Sequence, residues 1–137
     1  MLNTIKKHKG IILEILAIIL IIIYAISLSP KTMQNDTYYT VTIGKLITEN
    51  GIDMQDHFSW HEGLPYTYPH WLYDVMMYHI YDAGGWTGIY ISTCVFAAIL
   101  GICIYTVNSR LTGNKLISFL ITIGSLYLLQ GYITARA

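Results

Sequence analysis

The sequence predicts an all-α membrane protein with three transmembrane helices and a long extracytoplasmic first loop that carries two amphipathic surface helices. Hydrophobic residues make up 54% of the 137 positions and charged residues only 12%, whereas soluble domains carry about 25% charged residues. The apolar residues are concentrated in three blocks, at 11–28, 86–107 and 116–133. Eight basic residues are balanced by eight acidic ones, so no basic field indicates a nucleic-acid partner.

Each block is long enough to cross roughly 30 Å of hydrocarbon as a helix. The second and third blocks contain no charged residue, and the first contains only Glu14. We interpret Glu14 as a side chain that extends toward the interface, with a functional intramembrane carboxylate as the alternative. A cleaved signal peptide is the rival interpretation of the first block. Its apolar stretch is longer than the usual length of about 7–15 residues, and Pro30 follows it, which favours an uncleaved anchor.

The basic residues predict how the chain is oriented in a bacterial cytoplasmic membrane. They are Lys6, Lys7 and Lys9 before the first block, and Arg110 and Lys115 between the second and third blocks. Segments rich in lysine and arginine stay in the cytoplasm, so residues 1–10 and the turn 108–115 are predicted to lie inside. The acid-rich segment 29–85 is then outside, and the end of the chain, 134–137, emerges on the same side.

The outer segment 29–85 is rich in aromatic residues and is predicted to contain two helices. The first spans 37–49, where the apolar residues Tyr39, Ile43, Leu46 and Ile47 recur near helical spacing. Asn35 or Asp36 is expected to cap it. The second spans 69–82, with Pro69 in its first turn and two glycines after its end. Both are amphipathic enough to lie along the membrane surface.

Cysteine and histidine residues show no metal-site pattern. Cys94 and Cys103 are nine residues apart in one apolar block, so they point to opposite sides of a helix and are read as packing residues. Three histidines, His57, His61 and His70, occur near Glu62, but their spacing fits no zinc signature.

The outer segment contains an ordered set of residues and short motifs: Asn35-Asp36-x-Tyr38-Tyr39, Gly44, Gly51, Asp56-x-Phe58-Ser59-Trp60, His70-Trp71-Leu72 and Gly84-Gly85-x-x-Gly88. In this order they resemble the N-terminal region of bacterial GT-C glycosyltransferase-like membrane proteins, which are polytopic enzymes that use polyprenyl-phosphate-linked sugars. The resemblance covers roughly residues 35–137, including a closing Ala135-Arg136 pair.

The resemblance implies that Asp36 is the catalytic base or a ligand of Mg²⁺ or Mn²⁺, because family members carry an acidic residue shortly after the first span. A carboxylate at the membrane surface can accept a proton from an acceptor hydroxyl or bind a hard divalent cation. The implied partners are a polyprenyl-phosphate-sugar donor and membrane lipid. The alternative role of Asp36 is to cap the helix that begins beside it.

Three further residues of the outer segment are candidates for substrate binding: Asp56, His70 and Trp60. Asp56 and its neighbour Asp53 are alternatively turn-forming residues. His70 is alternatively a packing residue. Trp60 is alternatively an anchor at the lipid interface, where tryptophan is enriched.

Three spans are fewer than a GT-C catalytic core needs. We therefore expect the chain to be an N-terminal fragment, truncated after its third span, whose missing C-terminal part or partner subunit supplies further contacts. By itself such a fragment is expected to be inactive. The alternative is a small non-enzymatic membrane subunit or scaffold, in which Gly101, Gly113 and Gly124 allow close helix approach. A channel has little support, because the spans contain almost no charge.

Overall fold

The computed structural model describes residues 2–61 and 63–135, with side chains from residue 10 onward. These residues form helices α1 (Leu2–Leu28), α2 (Asn35–Asn50), α3 (Trp71–Thr112) and α4 (Lys115–Leu129), followed by a short 3₁₀ helix, Gln130–Tyr132. Within the described residues there is no strand, only one isolated bridge between Gln55 and Pro65. The all-helical fold class is confirmed at this level.

Three of the helical segments are long and apolar enough to cross a membrane. They are Gly10–Leu28, Trp71–Thr112 and Lys115–Tyr132. The first two contain the predicted spans 11–28 and 86–107, and the third contains the predicted span 116–133 except for its last residue. This arrangement is compatible with a multi-pass membrane protein.

Helix α3 is far longer than a single span because it joins two helical parts. It contains 42 residues, and its backbone is non-helical only at Gly85, with φ 58° and ψ −153°. Glycine adopts such a positive φ without the steric penalty that other residues meet. The break therefore falls where the predicted second surface helix ends and the predicted second span begins.

The turn between α3 and α4 is shorter than the predicted 108–115. Helix α3 continues to Thr112 and is stopped at Gly113, whose φ is 63°. The side chain of Asn114 then accepts hydrogen bonds from the backbone N–H groups of Leu116 and Ile117, at 3.0 and 3.2 Å. An Asn in this position satisfies N–H groups that a helix start leaves unpaired, so α4 begins at once.

The described chain divides into two compact units. The apolar unit contains the chain up to Lys31 together with Tyr90–Thr134. Its buried core consists of Ile21, Ala25, Ala97, Tyr105, Leu126 and Ile133. Gly101 allows close packing here, because a Cβ on it would come within 2.8 Å of Ile21 Cγ2 and 3.2 Å of Leu126 Cδ1.

Glu14 is paired within the apolar unit. Its carboxylate lies 2.6 Å from the ammonium group of Lys115 on α4, and the same ammonium donates to the carbonyl oxygen of Gly10 at 3.1 Å. The pair places the start of α4 beside the apolar part of α1. The Glu14 side chain, which is expected to extend toward the interface, therefore forms an ion pair between two helices.

The loop unit contains Thr32–Ile89 and Ala135. Its buried apolar residues form two groups, one of Val41, Met77, Ile89 and Ala135 and one of Ile43, Ile47 and Tyr68. The segment predicted to be a structured outer loop thus has a core of its own.

Candidate functional site

A small cavity in the loop unit brings together the polar residues of two helices. Its volume is about 130 Å³. The residues that line it are Asp36, Tyr39, Thr40 and Ile43 of α2, Tyr66, Pro69 and His70 of the preceding segment, and Asp74 in the first turn of α3. Asp36 and His70, which the sequence singles out as candidates, therefore border the same cavity.

Gly44 lets α2 and α3 approach closely enough to close this cavity. A Cβ built on Gly44 would lie 2.0 Å from the backbone oxygen of Asp74 and 2.7 Å from the Cβ of Tyr78. The two helices are therefore in backbone contact at this point. Thr40 lies one turn earlier on α2, and its hydroxyl donates a hydrogen bond to the carboxylate of Asp74.

Asp74 is nearly removed from solvent. Only 4% of the residue is exposed, and this burial raises the pKa of its carboxyl to about 6, against the lowering effects of nearby His70 and of the Thr40 hydrogen bond. Burial disfavours the charged form of a carboxyl group. The cavity thus contains a carboxyl group that exchanges a proton close to neutral pH, which is the range in which an acid or base catalyst works best.

Asp36 borders the cavity from the first turn of α2, and it does not cap the helix. The N-cap residue is Gln34, with φ −84° and ψ 159°, and no side-chain cap bond is formed. The expectation that Asn35 or Asp36 caps the helix is therefore wrong, because the helix begins at Asn35 and both residues lie within its first turn. Asp36 is exposed, so its carboxylate is open to a ligand, and its negative charge is favoured at a helix start.

Two tyrosines form one wall of the cavity. The hydroxyl of Tyr39 donates to the hydroxyl of Tyr66 at 2.6 Å. Burial, followed by this hydrogen bond, raises the pKa of Tyr39 well above its usual range, so its phenol stays protonated. The pair supplies neutral hydroxyl groups beside the two carboxyl groups.

Asp56 and Trp60 are not among the residues that line the cavity. One oxygen of Asp56 accepts from the N–H groups of Phe58 and Ser59, at 2.8 and 3.2 Å, which is the turn-forming alternative considered for it. Trp60 is 90% exposed, and its ring lies 4.5 Å from that of His61. Of the substrate-binding candidates, the structure brings His70 to the cavity and leaves the other two in the loop.

Asp53 belongs to a separate network in the same loop. One carboxylate oxygen lies 2.6 Å from His57 Nε2, and the other accepts from the Gln55 N–H at 3.1 Å and the Tyr68 hydroxyl at 3.3 Å. The Gln55 N–H, followed by the bond to His57, lowers the pKa of Asp53. His57, one of the three histidines considered for zinc, is thus held by a carboxylate of its own loop.

Asp74 is the residue of the cavity that the sequence interpretation missed. Two signals were present: it follows His70 by four residues, one helical turn, and it is an acid between apolar residues of an amphipathic helix. Neither signal shows that the acid faces inward, because that depends on the close contact at Gly44, where the neighbouring helix covers it.

Asp36 and Asp74 are two carboxyl groups that line the cavity. Burial raises the pKa of Asp74, which opposes the charged form that a cation requires. Among the described residues, no group of three His, Cys, Asp or Glu side chains is arranged to hold a metal ion. Binding of Mg²⁺ or Mn²⁺ at Asp36 stays a prediction that comes from the resemblance.

The chain matches no protein-family model, no curated protein and no solved structure. What can be concluded about function therefore depends on the geometry of the cavity and its residues.

Proposed function

We propose that the chain contributes the acceptor side of a membrane glycosyltransferase, which moves a sugar from a polyprenyl-phosphate donor to a hydroxyl acceptor outside the cytoplasm. The observation that carries the proposal is the meeting of Asp36, His70 and Asp74 around one cavity. The resemblance of the outer segment to GT-C enzymes, in which Asp36 takes the place of the base, supports the same function.

The charges of the cavity favour an acceptor hydroxyl over the donor phosphate. Two aspartates and two tyrosines line it, and none of the described lining residues is a lysine or arginine. Carboxylates accept hydrogen bonds from hydroxyl groups and repel a phosphate. The cavity volume, about 130 Å³, suits part of a sugar or polyol and not a lipid chain.

In the proposed reaction Asp36 accepts the proton of the acceptor hydroxyl. The acceptor oxygen forms a bond to the anomeric carbon of the sugar while the bond from that carbon to the phosphate oxygen breaks. Polyprenyl phosphate leaves with the electron pair of that bond, and the sugar inverts its configuration because the displacement is direct. Asp74, Thr40 and His70 hold the other polar groups of the acceptor.

The test is transfer by the membrane-embedded protein, together with any subunits that copurify, from a radiolabelled polyprenyl-phosphate hexose. We expect Asp36→Asn to slow transfer by about 100-fold or more, the usual contribution of a positioned base. Glu49→Gln is the matched control. Glu49 is on the same helix, but it is half exposed, pairs with Lys45 at 3.8 Å and does not line the cavity.

Full activity of Asp36→Asn would remove Asp36 from the mechanism. An equal loss in the Glu49→Gln control would show that charge on α2, and not the cavity, is what matters.

The alternative function, a non-enzymatic membrane subunit, is supported by the open surface of α4. A Cβ on Gly124 would meet nothing within 4 Å, so a partner helix has room to approach there. Gly101 is already used within the apolar unit, where its Cα faces Ile21 and Leu126. The same preparations separate the two functions: a partner that copurifies and is lost in Gly124→Leu, with no transfer activity in any sample, favours the subunit.

A further inference from the structure

The described residues of segment 51–65, which lies between α2 and the cavity wall, are held by polar contacts. Asp53 binds the backbone of Gln55, the ring of His57 and the hydroxyl of Tyr68. Asp56 accepts from two backbone N–H groups. Across the segment, the N–H of Asp56 donates to the carbonyl of Leu64 at 3.0 Å. The carboxylates of Asp53 and Asp56 are thus both engaged in hydrogen bonds.

The apolar side chains of this segment are exposed. They are Ile52, Met54, Phe58, Trp60 and Leu64, and their exposed fractions run from 43% to 90%. Met54 also has a positive φ of 57°, which is strained for a residue with a side chain. Scattered exposed apolar residues are ordinary, but a short ordered segment that exposes this many is typical of an interaction surface.

The lipid bilayer is the partner that we consider for this surface, because the chain connects the segment to a helix suited to cross a membrane. Segment 51–65 follows a helix of 16 residues, about 24 Å long, which in turn follows the first membrane-crossing helix. This short covalent connection keeps the segment near lipid at a high effective concentration. Trp60 is the most exposed of the five residues, and tryptophan is the residue most characteristic of the membrane–water interface.

The start of α3 gives a second, separate indication of the same partner. Trp71 and Leu72 are 45% and 66% exposed, whereas Asp74, two residues further on, is buried. Here an acid is buried while large apolar side chains are exposed. This reversal is expected where the outer medium is the lipid interface, which solvates apolar groups and tryptophan rings.

We propose that segment 51–65 is an interfacial anchor that inserts Met54, Trp60 and Leu64 into the headgroup region of the membrane that the chain spans. The anchor holds the loop unit, and the cavity within it, at the lipid surface. This proposal does not depend on the enzymatic function proposed above.

The test uses the full chain in phosphatidylcholine nanodiscs, with Cys94→Ser and Cys103→Ser and one new cysteine carrying the environment-sensitive dye NBD. With Trp60→Cys we expect a blue-shifted emission and loss of most of the signal when lipids spin-labelled near the headgroup are present. Lys45→Cys is the matched control. Lys45 lies on α2 and pairs with Glu49 at 3.8 Å, so the dye there should emit as in water and keep its signal.

Emission from position 60 that is water-like and unaffected by spin-labelled lipid would overturn the proposal. So would shielding that develops only after an oligosaccharide is added, which would favour sugar stacking by Trp60. If the cysteine variant does not fold, native Trp60 provides the same measurement in Trp71→Phe with brominated phosphatidylcholine. In the double variant that combines Trp60→Phe with Trp71→Phe, Trp86 is the only tryptophan left. If quenching in this double variant is as strong as in Trp71→Phe, the proposal is also overturned.

Discussion

At the scale of single residues, the pKa of the Asp74 carboxyl group depends on the burial of that residue. The residue is 4% exposed, and burial raises its pKa from 3.8 to about 6. In the folded protein it therefore keeps a proton at pH values where the unfolded chain has already released it. The contribution of Asp74 to the free energy of unfolding is consequently largest below about pH 4, falls as the pH rises toward 6, and is level above that.

We predict that Asp74→Asn removes this pH dependence. The asparagine has the same shape and carries no charge. We compare the free energy of unfolding of the variant with that of the parent at pH 4 and at pH 7. The difference should shift in favour of the variant by on the order of 2 kcal/mol between these two pH values. The measurement is urea unfolding of the protein in mild detergent, followed by tryptophan fluorescence. Trp60, Trp71 and Trp86 all belong to the loop unit, so the signal reports on that unit.

Asp36→Asn is the control for this experiment, since Asp36 borders the same cavity but is exposed. The stability of Asp36→Asn should change with pH as steeply as that of the parent protein. A parent protein whose stability rises between pH 4 and pH 6, with an unchanged profile in Asp74→Asn, would contradict the prediction.

At the scale of the elements, the contact between α2 and the first part of α3 depends on small residues. The buried positions of α2 are Thr37, Thr40, Val41, Ile43, Gly44 and Ile47. The sequence interpretation expected the apolar face of this helix to include Tyr39 and Leu46, whereas Tyr39 is 41% exposed. Hydrophobic spacing predicts that a helix is present, but a close helix contact selects for small side chains, and these need not be the most apolar.

We predict that Gly44→Ala destabilises the loop unit by about 2 kcal/mol, within the range typical of overpacked sites. The added Cβ would overlap the backbone oxygen of Asp74, which lies 2.0 Å away, so the helices must separate. Gly84→Ala is the matched control. Gly84 is also helical, but a Cβ there meets nothing within 4 Å, and alanine is the better helix former.

The two variants are compared by the same fluorescence-detected unfolding. The control should equal or slightly exceed the parent in stability. If both substitutions prove equally harmless, the close approach of α2 and α3 described here is incorrect.

At the scale of the whole molecule, the predicted orientation can be compared with the contacts within the apolar unit. The sequence assigns residues 1–10 and the turn before α4 to the same side of the membrane. In the structure the ammonium of Lys115 is bound to the Gly10 carbonyl and to Glu14, so these two ends are neighbours. Which side faces the cytoplasm follows only from the rule that basic segments stay inside.

We predict that a membrane-impermeant maleimide labels Thr67→Cys but not Arg110→Cys in intact cells, both in a chain with Cys94→Ser and Cys103→Ser. Thr67 and Arg110 are both exposed residues, in the loop unit and at the end of α3 respectively. After the membrane is permeabilised, both cysteines should react, which checks that each is accessible. The opposite labelling pattern would invert the topology and place the cavity inside the cell.

The number, length and order of the helices were largely determined by local sequence. Long apolar blocks cannot be covered by a chain of this size, so they specify helices suited to a membrane. Gly85 and Gly113 stop helical segments because only glycine adopts their positive φ readily. Boundaries were less accurate: α3 runs on to Thr112, because a polar residue does not end a helix until the backbone can turn.

Tertiary structure decided which polar residues share a site. The sequence drew attention to Asp36 and His70, and also to Asp56 and Trp60, which the fold leaves in the loop. Asp74 became part of the cavity because Gly44 brings two backbones into contact and covers its carboxyl group. Burial, proximity and the resulting pKa belong to contacts between residues that are distant along the chain. A linear pattern therefore identifies acids that can act, and only the packed helices show which of them meet.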